Sequence, residues 1–369
     1  MKSGIAELPL HGGRCPPWLF KRMKCLSEAI CRAIVLEYGQ EEFLRRIGDP
    51  FFFQALGCTL GFDWHSSGLT TTVCGALKEA IRPEELGISV CGGKGRTSRL
   101  TPEEIERAGD VFSLSSHTID RLKHASRMAA KVDSACVQDG YQLYHHVFIF
   151  TENGDWAVIQ QGMHGQMARR YHWLFEGVKS FVEEPHSGII GDRSEEVVLD
   201  MTARDSEETR KTCVDLVRDN PKRLLPYVRE AEQRSLDEYF DQRSPKVPKL
   251  VMPTSHAITK LTEQTLAALQ RAYELQPENY EGLVAIRGIG PKAVRALALV
   301  SDLIYGKPPS WKDPVKFSFA HGGKDGVPYP VDKITYQRTI EILGDAVKSA
   351  GIGQREKLDA LRRLHVFMG

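Results

Sequence analysis

Residues 141–162 constrain the fold more than any other part of this chain. Positions 144–150, Tyr-His-His-Val-Phe-Ile-Phe, are rich in aromatic and β-branched side chains, which suit a pleated, half-buried backbone. Asn153-Gly154 is a turn dipeptide, because both residues tolerate the positive φ of a tight hairpin. A second apolar run, Trp156 to Ile159, follows at once. Together these predict an antiparallel hairpin, and no other segment carries so strong a β signal. Elsewhere the pattern is helical. Leu19, Met23, Leu26, Ile30 and Ala33 recur at steps that place them on one helix face. Gly48-Asp49-Pro50 stops that helix, and Phe51-Phe52-Phe53 begins another element. Thr101-Pro102-Glu103-Glu104 reads as a helix start, with Thr101 as cap, Pro102 in the first turn and Glu104 closing a capping box. The predicted class is mainly α with a small antiparallel β element.

Composition narrows the function classes. The chain has 369 residues, 41% hydrophobic and 26% charged, close to the soluble globular average. No run of apolar residues is long enough to cross a membrane. The opening residues show no basic segment followed by a long apolar core, so a cytoplasmic protein is expected. None of the eight cysteines forms a C-x-x-C pair, so reduced, mostly buried thiols are expected rather than a zinc site or a disulfide framework. Glycines break the pattern in two places. One is around Asp63-Trp64-His65-Ser66-Ser67; the other is the basic loop Cys91-Gly92-Gly93-Lys94-Gly95-Arg96. That loop lacks the Walker A spacing, and no Gly-x-Gly-x-x-Gly follows a strand, so no nucleotide cofactor is expected.

Three regions are expected. Residues 1–190 form an α+β domain that would carry any chemistry. Residues 191–248 are a charged helical linker region, with Pro221, Pro226, Pro245 and Pro248 along it. Residues 249–369 are an all-helical module. This last region carries 17 Lys+Arg against 12 Asp+Glu, a net of +5 on a chain whose total is +1. A basic module on a near-neutral chain fits a nucleic-acid contact.

Within that module, residues 281–301 read EGLVAIRGIGPKAVRALALVS. Gly288 and Gly290 allow a sharp turn, and Pro291 suits the first position of the next helix. The amides of that helix start can meet a phosphate, helped by the helix dipole. The segment resembles the helix-hairpin-helix motif of DNA repair, recombination and replication proteins. The resemblance implies contacts to the DNA backbone, without sequence reading, by Arg287, Gly288, Gly290, Lys292 and Arg295. Lys324, in the Gly-rich and aromatic segment FSFAHGGKDGVPYP, is a further candidate DNA contact. Phosphate contacts alone do not separate DNA from RNA, and the oligomeric state stays open.

Two chemistries follow. Nine of the twelve histidines lie within residues 1–190, several beside carboxylates. Asp63, His65, Asp139, His145 and Gln160 are candidate catalytic residues. Asp133, Asp139 and His145 are candidate ligands for Mg²⁺ or Mn²⁺, which would polarise a phosphodiester and activate water. His145 and His146 are adjacent on a strand and so point to opposite faces. The expected function is a DNA-processing enzyme of repair or recombination, a metal-dependent nuclease. The alternative rests on a resemblance to helix-hairpin-helix DNA glycosylase/lyases, which carry a nucleophilic lysine two residues after the second hairpin glycine. Lys292 holds that place, and Asp313, 21 residues on, is the matching carboxylate. A third reading is a DNA-binding protein without catalysis.

Several blocks together resemble one bacterial and archaeal family, the domain-of-unknown-function 763 family. These are GIAELPLHGG, FFFQALGCTLGFDWHSSGLTTT, DGYQLYHHVFIF, WAVIQQGM with ARRYHW, and AHGGKDGVPYPVD. The resemblance spans nearly the whole chain and implies no particular activity.

Overall fold

The computed structural model describes residues 15–62, 68–191, 194–219, 226, 262–315 and 333–368, the side chains of 333–340 and 366–368 aside. The candidates Asp63, His65 and Lys324 lie outside the described residues, as do most of the expected linker and the blocks GIAELPLHGG and AHGGKDGVPYPVD.

Helix α1 (Pro17–Gly48) carries the predicted apolar face, with Met23, Leu26 and Ile30 buried. It bends at Gly39, where φ is +87°. Asp49 both ends α1 and opens α2 (Pro50–Thr59): its carboxylate accepts from the amides of Phe51 and Phe52 at 2.7 and 3.2 Å. Then come α3 (Gly68–Ala80), the short α4 (Pro83–Leu86) and strand β1 (Ile88–Lys94). A 3-10 turn (Gly95–Leu100) leads into α5 (Thr101–Val111), which is followed by α6 (Ser116–Ala135).

The expected capping box does not form. The Thr101 hydroxyl donates backwards to the Ser98 carbonyl at 2.7 Å. Glu104 turns to a stronger, charged partner: Lys78 Nζ lies 2.8 Å away, and the Gly92 amide donates to it at 2.6 Å. Lys78 also donates to the Gly92 carbonyl, so α3, β1 and α5 are tied at one glycine. Gly92 has φ +94°, and a Cβ there would sit 2.3 Å from the His146 carbonyl oxygen. Gly92→Ala is therefore expected to destabilise by more than about 1 kcal/mol, through backbone strain plus a clash that no rotamer relieves. A lowered denaturation midpoint at constant m-value would show it.

The sheet extends well beyond the predicted hairpin. Strands β3 (Gln142–Thr151) and β4 (Trp156–His164) are that hairpin, closed at Gly154 with φ +86°. Strand β1, β5 (Met167–Leu174) and β6 (His186–Gly191) complete an antiparallel sheet of order β1-β3-β4-β5-β6. A two-residue strand β2 (Val137–Gln138) pairs separately with β7 (Leu199–Asp200). Paired glycines in β1 and paired arginines in β5 hide these strands from a pattern reading.

Helices cover both faces of the five-stranded sheet, so strand residues of both parities are buried. Helices α5 and α6 lie over Cys91, Phe148, Phe150, Trp156, Val158 and Trp173. Onto this first core pack α7 (Glu207–Arg218), α8 (Glu263–Leu275), α9 (Tyr280–Ala285) and α10 (Pro291–Tyr305). The opposite face, with Val90, Val147, Ile149, Ala157 and Ile159, packs on α1, α2 and α3. Helices α11 (Lys333–Ser349) and α12 (Gln354–Met368) join that second core through Leu343, Val347 and Leu364. The chain is thus mainly α with a small antiparallel sheet. All eight cysteines are free thiols, and six are buried.

Candidate functional site

The hairpin of residues 286–290 joins α9 to α10. Gly288 takes φ +98°, and the Ile289 amide donates to the Ile286 carbonyl at 3.2 Å. Gly290 caps α10, with Pro291 in its first turn. Ile286 and Ile289 are buried in the first core. From behind, Lys131 of α6 donates to the Ile286 carbonyl at 2.5 Å. Gln138 donates to the Pro291 carbonyl at 2.9 Å and accepts from Arg295 Nε at 2.7 Å. Burial lowers the proton affinity of both Lys131 and Arg295. Arg295 thus braces the hairpin from inside, while Arg287, Gly288 and Lys292 are exposed. Exposed Arg271 of α8 adds charge, its guanidinium 3.3 Å from where a Gly288 Cβ would stand.

The N-terminal candidates divide between the two faces of the sheet. On the first-core face, Asp133 of α6 is fully buried. Its carboxylate accepts from Gln160 Nε2 at 2.5 Å and Trp173 Nε1 at 3.0 Å, and pairs with His186 Nε2 at 2.5 Å. Gln160 Oε1 meets His146 Nδ1 at 2.9 Å, and His146 Nε2 meets the Ser126 hydroxyl at 2.8 Å. This is a continuous polar chain that occupies both ring nitrogens of His146.

Asp139 belongs to a second network on that face. Arg169, 0% exposed, donates to Asp139 at 3.0 Å and grips both oxygens of Asp313 at 3.0 and 2.8 Å. Its guanidinium lies 4.5 Å from the Tyr141 ring centre. Asp139 also accepts from the Tyr171 hydroxyl at 2.6 Å, and Asp313 from the amides of Glu195 and Val315 at 2.6 and 3.0 Å. Burial opposes the charge on Arg169, but the two carboxylates more than offset it and raise its proton affinity. Asp313 is therefore held by buried partners, which leaves little of its carboxylate for a reacting sugar.

His145 lies on the opposite face. The fold does not bring Asp133, Asp139 and His145 together. Among the described residues no group of three His, Cys, Asp or Glu side chains could hold a metal ion. The sequence reading missed Arg169 as a member of these networks. The one signal was the adjacent pair Arg169-Arg170 beside aromatic residues, a pattern that a solvent-facing strand would not need.

An antiparallel sheet covered by helices on both faces and joined to a helical hairpin defines the class of fold. The chain belongs to the family described as Protein of unknown function (DUF763), whose model matches residues 4–331. No curated protein matches the chain. No solved structure matches it. Among the described residues no helix is long and apolar enough to cross a membrane.

Proposed function

We propose that this protein binds the DNA backbone without reading sequence, through the hairpin of residues 286–290, and serves DNA processing in repair or recombination. The observation that carries the reading is the hairpin's two-sided construction. Its inner side is locked by Lys131, Gln138 and Arg295, and its outer side presents Arg287, Gly288 and Lys292. A braced turn with exposed cations at a helix start suits phosphate oxygens. Salt-dependent affinity follows, because each neutralised phosphate releases counterions.

The test is fluorescence anisotropy on duplex, branched and single-stranded DNA across a salt series, with duplex RNA as competitor. Lys292→Ala is expected to weaken binding alike on unrelated sequences and to lower the salt slope by about one. Sequence-dependent losses, or unchanged binding in an Arg287→Ala/Lys292→Ala double variant, would remove the hairpin reading. The same reactions run with Mn²⁺ and with EDTA decide the catalytic half. Metal-dependent cleavage establishes the nuclease; stable complexes without turnover leave a backbone-binding protein.

A further inference from the structure

One register row crosses four strands on the second-core face. Lys94 of β1 stands opposite His145 of β3, His145 opposite Gln161 of β4, and Gln161 opposite Arg170 of β5. The next row inward is Gly92, Val147, Ile159 and His172, where the core begins. A register shift between Leu143 and His145 brings Tyr144 to the same row. Its hydroxyl accepts from Gln161 Nε2 at 2.6 Å, and Lys94 Nζ lies 5.6 Å from its ring centre. Arg170 rests on the Phe53 ring at 4.8 Å and donates to Gln54 Oε1 at 2.9 Å.

His145 is the exception in this row. It is 2% exposed, and among the described residues neither ring nitrogen has a hydrogen-bond partner. Leaving such a group unmatched costs about 1–3 kcal/mol. Its cross-strand neighbour on one side is a lysine, and an arginine stands two strands away on the other. Exposed Arg96 and Arg99 continue the positive charge beyond Lys94, at the solvent end of the row. The row contains no carboxylate and no thiol.

We infer that the row of Lys94, His145 and Arg170 is a binding site for a phosphate group, entered from the Lys94 end. An imidazole offers one N–H to a phosphate oxygen, and the two cations supply the charge. A divalent cation is the wrong ligand for this row, since it would face two positive side chains and one nitrogen donor. The inference does not depend on the hairpin, which lies in the first core beyond the other face of the sheet.

The probe is the full chain labelled with ¹⁵N-histidine, with the ring resonances of His145 assigned by their loss in His145→Gln. Inorganic phosphate is titrated at constant ionic strength against chloride. A short oligonucleotide with and without a 5′-phosphate follows. A saturable shift of the His145 ring, weakened about tenfold by Lys94→Ala, supports the site. Lys94 is exposed, so that variant is expected to fold. A response to inorganic phosphate assigns the site to free phosphate or small phosphate esters. A response only to the 5′-phosphorylated oligonucleotide assigns it to a nucleic-acid end. Absence of any His145 shift, or one indifferent to Lys94→Ala or to the presence of the phosphate group, overturns the inference. Lys292→Ala is the control: it should weaken DNA binding while leaving the phosphate response intact, so the two readings fail separately.

Discussion

Arg169→Met is expected to lower the stability of the fold by about 3–5 kcal/mol, the range for breaking a buried ion pair from one side. Arg169 sits 0% exposed between Asp139 and Asp313, which are themselves 1% and 2% exposed at the side chain. Methionine fills much of the volume but leaves two carboxylates facing each other without a counter-charge. The loss thus comes from the orphaned anions as well as from the missing contacts. Two checks separate these. Adding Asp139→Asn and Asp313→Asn to Arg169→Met should recover much of the stability, because neutral amides tolerate burial far better than carboxylates. Either asparagine change alone should cost less than Arg169→Met. Urea unfolding measures all of these, with the m-value as the check that the same transition is followed. A midpoint for Arg169→Met close to that of the parent would refute the clamp. Asp313 lies 144 residues from Arg169, so the clamp also pins the segment after α10 to strand β5.

Acidification below pH 7 is expected to destabilise the protein steeply, because three histidines are buried in neutral form. Burial lowers the His145 pKa from 6.5 to about 3, with His146 and Lys94 adding to the effect. Burial also lowers that of His146, and lowers that of His172 well below 6.5 with help from Arg170. In each case the unfolded chain takes a proton at a higher pH than the folded one. Stability is therefore fully present above about pH 6.5 and falls as pH drops from there toward each folded value. Each histidine contributes a slope of up to about 1.4 kcal/mol per pH unit, so the three together reach about 4. Asp139 and Asp200, whose carboxyls burial raises, titrate in the opposite sense and offset part of the loss near the acid end. Urea midpoints at pH 7, 6 and 5 should fall in order. His145→Gln should make the curve shallower by up to one proton. A midpoint that is flat over this range would mean that the histidines are not held neutral.

What could be read in advance was local. The β3–β4 hairpin was legible because its aromatic and β-branched run, its Asn-Gly turn and its partner strand lie within about twenty residues, where loop closure costs little. The same holds for the stop of α1 at Gly48-Asp49-Pro50 and for the glycine turn before Pro291. Alternation alone placed His145 and His146 on opposite faces. The capping box at Thr101 failed for the opposite reason: Glu104 found Lys78, a residue from another helix.

The roles of the polar residues depended on the closed fold. Nothing near Asp133 in the chain announces that Gln160, Trp173 and His186 will saturate it. Nothing near Asp139 names Arg169, or near Arg169 names Asp313. A buried carboxylate is a metal ligand or an ion-pair partner according to what faces it, and that depends on sheet order and register. Strands β1, β5 and β6 were hidden likewise, since glycines and arginines are poor strand signals until a carbonyl or a carboxylate stands opposite them. Short-range preferences along the chain were enough for the mainly helical class, the one hairpin and the turn at Gly288. Only packing in space settled that both sheet faces are buried, that Arg169 is the counter-ion of two candidate catalytic aspartates, and that His145 finds no hydrogen-bond partner among the described residues. Short-range preferences act between neighbours along the chain, whereas pairing of buried charge acts between neighbours in space.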